Sequence, residues 1–291
     1  MVGPHVVAGA LHHLAVGLAA DDVAAFARDL LCHVQPPFDA VRIVVRPGGW
    51  VYVGVDLARG RTQLCGRFVV EVDDRRVEGE LPGRQGRLLV AYLVANRTRT
   101  VARDELLDAL WPDGHDGGLA PLLSKVRRVF PLEGLRPGLA ELWVDVEAAA
   151  AALHRAESAL ALGRPHEAWA PSQIALFVFG RPFLAGDEAP WVEEERTRLD
   201  GLQSRALEAY AGSTLGIGGT ELAAAVRSSR RLIEQEPYRE TGYRLLMEAL
   251  ERQGNAAEAL LVYESCRTRL RDDLGASPSP ETQELYRRLL G

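Results

Sequence analysis

The sequence predicts a mainly α protein with a small α+β region at its N-terminal end. Three observations carry this expectation. Helical apolar stripes dominate from residue 83 onward, β-rich runs are short and confined to residues 40–79 and 142–146, and glycine- and proline-containing breaks recur between the helical stretches of the C-terminal half. At 291 residues the chain is long enough for roughly two average domains.

Taken in order, residues 10–33 form a mostly apolar helical stretch that PPF breaks, followed by two β-rich runs, AVRIVV (40–45) and WVYVGVD (50–56), joined by RPGG. A helix and a hairpin are expected there, as an α+β extension over residues 1–60. Next, TQLCG and RFVVEV flank Gly66 and DDRR supplies a further turn, so residues 61–79 read as a small antiparallel sheet. Three helices with one-sided apolar stripes follow at 84–95, 103–111 and 119–130. Pro137 and Gly138 then mark a turn, and Leu142–Val146 reads as a strand. Sheet, three helices, hairpin is the order of a winged helix-turn-helix, placed at residues 61–146.

From Glu147 to Gly291 the pattern is helical, broken at 163–165, 180–190, 216–219, 236–237, 254–255 and 275–280. Helix pairs of this length predict a tetratricopeptide-like all-helical repeat domain over residues 147–291. In the clearest pair the small residues Gly242, Ala249 and Ala259 alternate with Tyr243, Leu246, Leu250 and Tyr263, so that neighbouring helices can approach and interlock. The tryptophans 143, 169 and 191 and the tyrosines 210, 238, 243, 263 and 286 are expected in core or repeat packing.

Composition excludes several classes. With 47% apolar and 25% charged residues the chain is an ordinary globular protein. It has no run of 18 apolar residues that would span a membrane. Its N-terminal stretch lacks the basic start of a signal peptide, and the 3 cysteines are far apart, so a reducing cytoplasm is expected. The scattered histidines, including the adjacent His12 and His13, show no ligand spacing, and no metal or cofactor is expected. LGIGGTE (215–221) lacks the strand and GK[ST] ending of a nucleotide loop and reads as an inter-repeat turn. Glu193, Glu194 and Glu195 read as a solvated helix face. No nucleophile, triad or zinc-protease signature appears, so a non-enzyme is expected.

The net charge of −6 would normally count against a nucleic-acid partner, but its distribution matters more. Residues 147–291 hold 17 basic and 22 acidic groups, whereas 61–146 hold 13 of each. Between Leu81 and Arg103 stand five arginines, Arg84, Arg87, Arg97, Arg99 and Arg103, and no acid. Lys125, Arg127 and Arg128 stand between Gly117 and Leu132, again without an acid. A domain neutral in sum can therefore carry a basic face for phosphates. On the helix 119–130, Leu119, Leu122, Leu123, Val126, Val129 and Phe130 should face the core, leaving Ser124, Lys125, Arg127 and Arg128 for solvent or DNA. The opposing reading is that KVRR merely solvates a helix end, where cations suit the dipole.

The stretch RTQLCGRFVVEVDDRRVEG…RQGRLLVAYLVANRTRTVARDELLDALWPD resembles the DNA-binding domain of SARP-type (Streptomyces antibiotic regulatory protein) activators. The block APWVEEERTRLDGLQSRALEAY, with EPYRETGYRLLMEALERQGNAAEALLVYESCRTRLRDDLGASPSPETQELYRRLL, resembles the bacterial transcriptional activator domain of that family. The resemblance covers roughly residues 61–291 and implies a cytoplasmic transcription regulator, an activator. It implies binding of double-stranded promoter DNA through the winged helix, and of RNA polymerase, another regulator or a second copy of the chain through the repeats. By family position Ser124, Lys125, Arg127 and Arg128 are DNA contacts, with Arg99 and Arg103 on phosphates and Arg136 near the wing. Three departures set a rival reading beside it. Only 12 residues separate Trp111 from Ser124, Leu122 and Leu123 stand where polar base-reading groups are expected, and Ala102 replaces a Ser or Thr N-cap before Glu105. The rival is a protein-interaction module, as part of a larger signalling regulator, whose winged helix does not read DNA.

Overall fold

The computed structural model describes residues 41–46, 50–55, 60–114, 118–139 and 142–291, the first two segments as backbone. The helix expected over 10–33 lies outside the described residues. The chain divides into two compact units, Met1–Leu57 and Ala58–Gly291. In the first, β1 (Val41–Arg46) and β2 (Trp50–Val55) form an antiparallel hairpin with Val41 opposite Val55 and Arg46 opposite Trp50.

The second unit opens with β3 (Gly60–Gln63), β4 (Val69–Val72) and β5 (Arg75–Arg76). Asp73 and Asp74 both take positive φ between β4 and β5, which short polar side chains tolerate best. Three helices follow: α1 (Gly83–Ala95), α2 (Arg103–Leu110) and α3 (Leu119–Val126). The third is shorter than the 119–130 stripe predicts. Beyond Val126 the chain tightens into i→i−3 bonds, Arg128 N–H to Lys125 and Val129 N–H to Val126, while Val129 and Phe130 still face inward.

The wing also differs from the expectation. Its hairpin is β6 (Leu132–Glu133) against β7 (Arg136–Pro137), turning at Gly134 with φ 65°, so Pro137 lies in a strand and not in the turn. The next strand, β8 (Leu142–Val144), pairs parallel with β3, giving the sheet order β5-β4-β3-β8. Asp145 and Val146, expected to continue that strand, begin α4 (Asp145–Ala161). The reason is visible at Asp145. Its buried carboxylate accepts N–H groups from Leu64 (2.8 Å), Cys65 (3.0 Å) and its own neighbour Val146 (2.9 Å), which fixes strand end and helix start together.

The repeat region continues as α5 (Pro165–Phe179), α6 (Pro190–Ile217), α7 (Leu222–Gln235), α8 (Glu240–Arg252), α9 (Ala256–Leu274) and α10 (Pro280–Leu290). Proline opens three of these helices, where its missing N–H costs nothing. Alanines 149, 152, 156, 159, 168 and 175 are buried between α4 and its neighbours, allowing close helix approach. At Gly242 a β-carbon would stand 3.1 Å from Ile233 and 3.3 Å from Leu232, so only glycine seats α8 on α7 without displacement. Tyr263 stacks on Tyr286 at 3.9 Å between centroids, closing α10 onto α9. Of the aromatic residues expected inside, Tyr238 is 48% exposed. It follows Pro237 in an inter-helix turn, and its hydroxyl donates to Asp273 at 3.3 Å.

One apolar core runs without interruption from Leu64 in the winged helix to Ala209 in α6. Helix α1 is its centre, with Leu88 to Val94 all buried. The break at 180–190 is the wedge that joins the two regions. Phe183 forms a β-bridge with Cys65, Leu184 N–H donates to Leu64, and Gly66 N–H donates to Pro182. Arg196 donates to the carbonyls of Phe183, Leu184 and Asp187, satisfying backbone that would otherwise be buried unpaired.

Candidate nucleic-acid interface

The exposed side of α3 follows from its sequence. At 3.6 residues per turn Leu119, Leu122, Leu123 and Val126 share one face, and all four are buried. Ala120, Pro121, Ser124 and Lys125 occupy the other face, continued by Arg127 and Arg128 past the helix end, and all six are exposed. Leu122 and Leu123, at 8% and 6% exposure, are core residues and do not occupy the outward positions. The outward first turn is apolar instead through Ala120 and Pro121. Sequence reasoning passed over this pair, although the spacing of the four buried residues was enough to find it.

Among the described residues, Ser124, Lys125 and Arg128 have no side-chain partner and no carboxylate lies within ion-pair distance of Lys125, Arg127 or Arg128. Arg127 donates one N–H to the Gly134 carbonyl at 3.1 Å, tying the end of α3 to the wing turn while its side remains exposed. Arg136 is exposed on the wing strand and lines a shallow polar cleft of about 340 Å³ with Arg97, Glu133 and Leu142. Arg103 is exposed at the start of α2.

The five arginines of 84–103 behave differently from the expectation of one basic run. Arg87 pairs with buried Asp187 at 2.9 Å and Arg84 reaches the same carboxylate at 3.4 Å, while Arg84 also donates to the Glu188 carbonyl. Arg97 makes a two-pronged pair with Glu147 at 2.8 and 2.6 Å. Arg99 is clamped by Glu105 through both terminal nitrogens, one at 2.9 Å, and by the Asn96 side chain at 3.0 Å. Only Arg103 of the five is unpaired among the described residues. The acids that neutralise the others stand up to 103 positions away, which no local count reveals.

Glu105 repairs part of the missing cap. Ala102 offers no side-chain acceptor, yet its backbone N–H reaches the Glu105 carboxylate at 3.4 Å, the backbone half of a capping box. The same carboxylate accepts the Tyr92 hydroxyl at 2.5 Å. The Arg99 guanidinium, with the Tyr92 hydroxyl second, brings its pKa down to about 2. Burial, then the adjacent carboxylate, pushes the Tyr92 phenol up.

This arrangement presents a short helix with three cations and one hydroxyl on its free side, a flanking wing, and an underside fixed by the core. It offers donors for phosphate oxygens and no general base or nucleophile poised at a cavity. No described helix is long and apolar enough to cross a membrane.

The chain is similar to known proteins over most of its length. Residues 144–290 match the family described as "Bacterial transcriptional activator domain". The chain is 34% identical over 218 residues to the regulatory protein AfsR of Streptomyces coelicolor and 31% identical over 217 residues to that of Streptomyces griseus. Each match covers 71% of this chain and 22% of the relative, so the chain spans about a fifth of those proteins. It is 26% identical over 245 residues to the transcriptional regulatory protein EmbR of Mycobacterium tuberculosis, covering 78% of this chain and 62% of EmbR. A solved structure of Mycobacterium tuberculosis EmbR, in complex with a low-affinity phosphopeptide, superposes with a TM-score of 0.67 at 26% identity. That match covers 80% of this chain and 65% of the other.

Proposed function

The chain belongs to the family of regulators built on the bacterial transcriptional activator domain, the SARP-type regulators, and from that premise we propose that it activates transcription by binding promoter DNA through its winged helix. The observation that carries this reading is the free side of α3: Ser124, Lys125, Arg127 and Arg128 stand outward together with no carboxylate partner among the described residues, while four of the five arginines ahead of them are spent on ion pairs. Unpaired cations release counterions when they meet phosphates, and paired ones gain little. Arg103 and Arg136 extend the cationic surface to the start of α2 and to the wing, and Arg99, held by Glu105 and Asn96, lies in the loop ahead of α2. The repeat region engages RNA polymerase, another regulator or a second copy of the chain in the cytoplasm. The reading assigns no reaction.

Selection from randomised duplexes with the whole chain, followed by anisotropy across a salt series, tests it. An enriched motif is expected. Arg127→Ala plus Arg128→Ala should flatten the slope of log K against log salt by about 0.9 per lost phosphate contact. No binding to any duplex at low salt would leave the protein-interaction reading.

A further inference from the structure

We propose that the first turn of α3 reads thymine through its C5-methyl group, with Ala120 and Pro121 as the specificity-determining residues and Ser124 as the adjoining polar contact; this rests on the DNA-binding reading above. In a helix lying in the major groove, the N-terminal residues meet the base edges. Here the outward residues of that turn are Ala120 and Pro121, both exposed. Neither has a side-chain donor or acceptor, so neither satisfies the N7, O6, N6 or N4 groups that distinguish the other bases. The one apolar feature on the major-groove edge is the thymine methyl.

Among the described residues, no polar side chain stands outward in that turn. Leu119, Leu122 and Leu123 are locked in the core. Ser124 lies one turn beyond Ala120 on the same face, and its hydroxyl, which has no partner among the described residues, can donate or accept and so tolerates any base. Lys125, Arg127 and Arg128 come next, toward the helix end. The free side of α3 is thus graded, apolar where bases are met and cationic where backbone is met, and this charge complementarity selects duplex DNA as the occupant. A methyl and a pyrrolidine ring are too small to anchor a protein partner, whose hot spots are typically aromatic or arginine side chains in desolvated pockets.

The test uses the whole chain and the duplex enriched by selection. Thymines are replaced one at a time by deoxyuridine, which removes only the methyl, and affinity is measured for the wild type, Ala120→Ser and Pro121→Ser at several salt concentrations. One or two thymines of the enriched motif should weaken the wild type about fourfold when replaced, the loss of one buried methyl. In Ala120→Ser or Pro121→Ser that difference should fall to within about twofold with the salt slope unchanged, which also reports an intact fold. The proposal is overturned if every thymine can be replaced without effect, if the enriched motif holds no thymine, or if both variants keep the full discrimination. Each of those outcomes leaves DNA binding standing, whereas absence of binding to any duplex removes both readings.

Discussion

The Asp187 carboxylate, with only 1% of its side chain exposed, accepts a hydrogen bond from the Arg87 guanidinium at 2.9 Å across 100 positions of sequence. Arg87 lies on the helix at the centre of the winged region, and Asp187 lies in the wedge ahead of the long repeat helix. The pair is therefore a bolt between the two regions.

Removing one side of that bolt leaves Arg84 and Arg87 facing a buried gap. Asp187→Ala should destabilise the protein by about 2 kcal/mol, less than for a fully buried pair because both arginines retain solvent. Chemical denaturation followed by tryptophan fluorescence checks this, since Trp191 packs edge-on against Tyr92 at 5.0 Å beside the same wedge. A midpoint equal to the wild type would show that the pair contributes nothing.

The Glu105 carboxylate gives a pH signature. Its folded pKa of about 2 lies below the ordinary 4.5, so its contribution to stability is complete above pH 4.5 and is lost as pH falls toward 2. The difference in Tm between the wild type and Glu105→Gln should be constant near neutrality and shrink progressively below pH 4.5. A difference that persists unchanged at pH 3 would contradict the Arg99–Glu105–Tyr92 arrangement.

Two thiols should be silent in the native state. Burial pushes the Cys65 thiol up to about 12 and that of Cys266 up to about 11, which removes the reactive thiolate near neutral pH. In a Cys32→Ser background, a maleimide reagent should label neither thiol until denaturant is added. Mass spectrometry of the native protein then shows zero adducts, and a rapid native adduct would mean the core around either residue opens.

Gly242 tests the repeat packing. Gly242→Val should cost about 2–3 kcal/mol, because the new side chain enters space already held by Leu232 and Ile233. Gly254→Ala, at a positive-φ glycine with open space around it, should cost about 1 kcal/mol through backbone strain alone. Thermal unfolding of the pair separates crowding from strain.

Local chemistry made much of this fold legible. Breaks such as Gly163–Pro165 and Gly275–Pro280 fall between observed helices because a left-handed glycine ends one helix and a proline opens the next. The small-large alternation at Gly242, Tyr243, Ala249 and Tyr263 is fully buried in the structure. The wing turn was misplaced because Pro137 and Gly138 look like a turn dipeptide, whereas Gly134 supplies the positive φ that the hairpin needs. The parallel pairing of Leu142–Val144 with Gly60–Thr62 joins segments about 80 positions apart and leaves no local mark. The basic surface was blurred for the same reason: Asp187 and Glu147 neutralise arginines far from them in sequence. The outward set on α3 was readable because helical periodicity is a local property.

The run from Val144 straight into Asp145 governs how such a chain can be rearranged. No spacer separates the last sheet strand from the first repeat helix, and the Asp145 carboxylate holds the backbone of Leu64 and Cys65 as it starts that helix. A chimaera spliced between residues 144 and 145 would cut through a shared hydrogen-bond network and a common core. The exchangeable cassette therefore spans both regions of the second unit, and a graft that swaps DNA specificity must be confined to the outward face of α3 and keep the Arg127 bond to the Gly134 carbonyl.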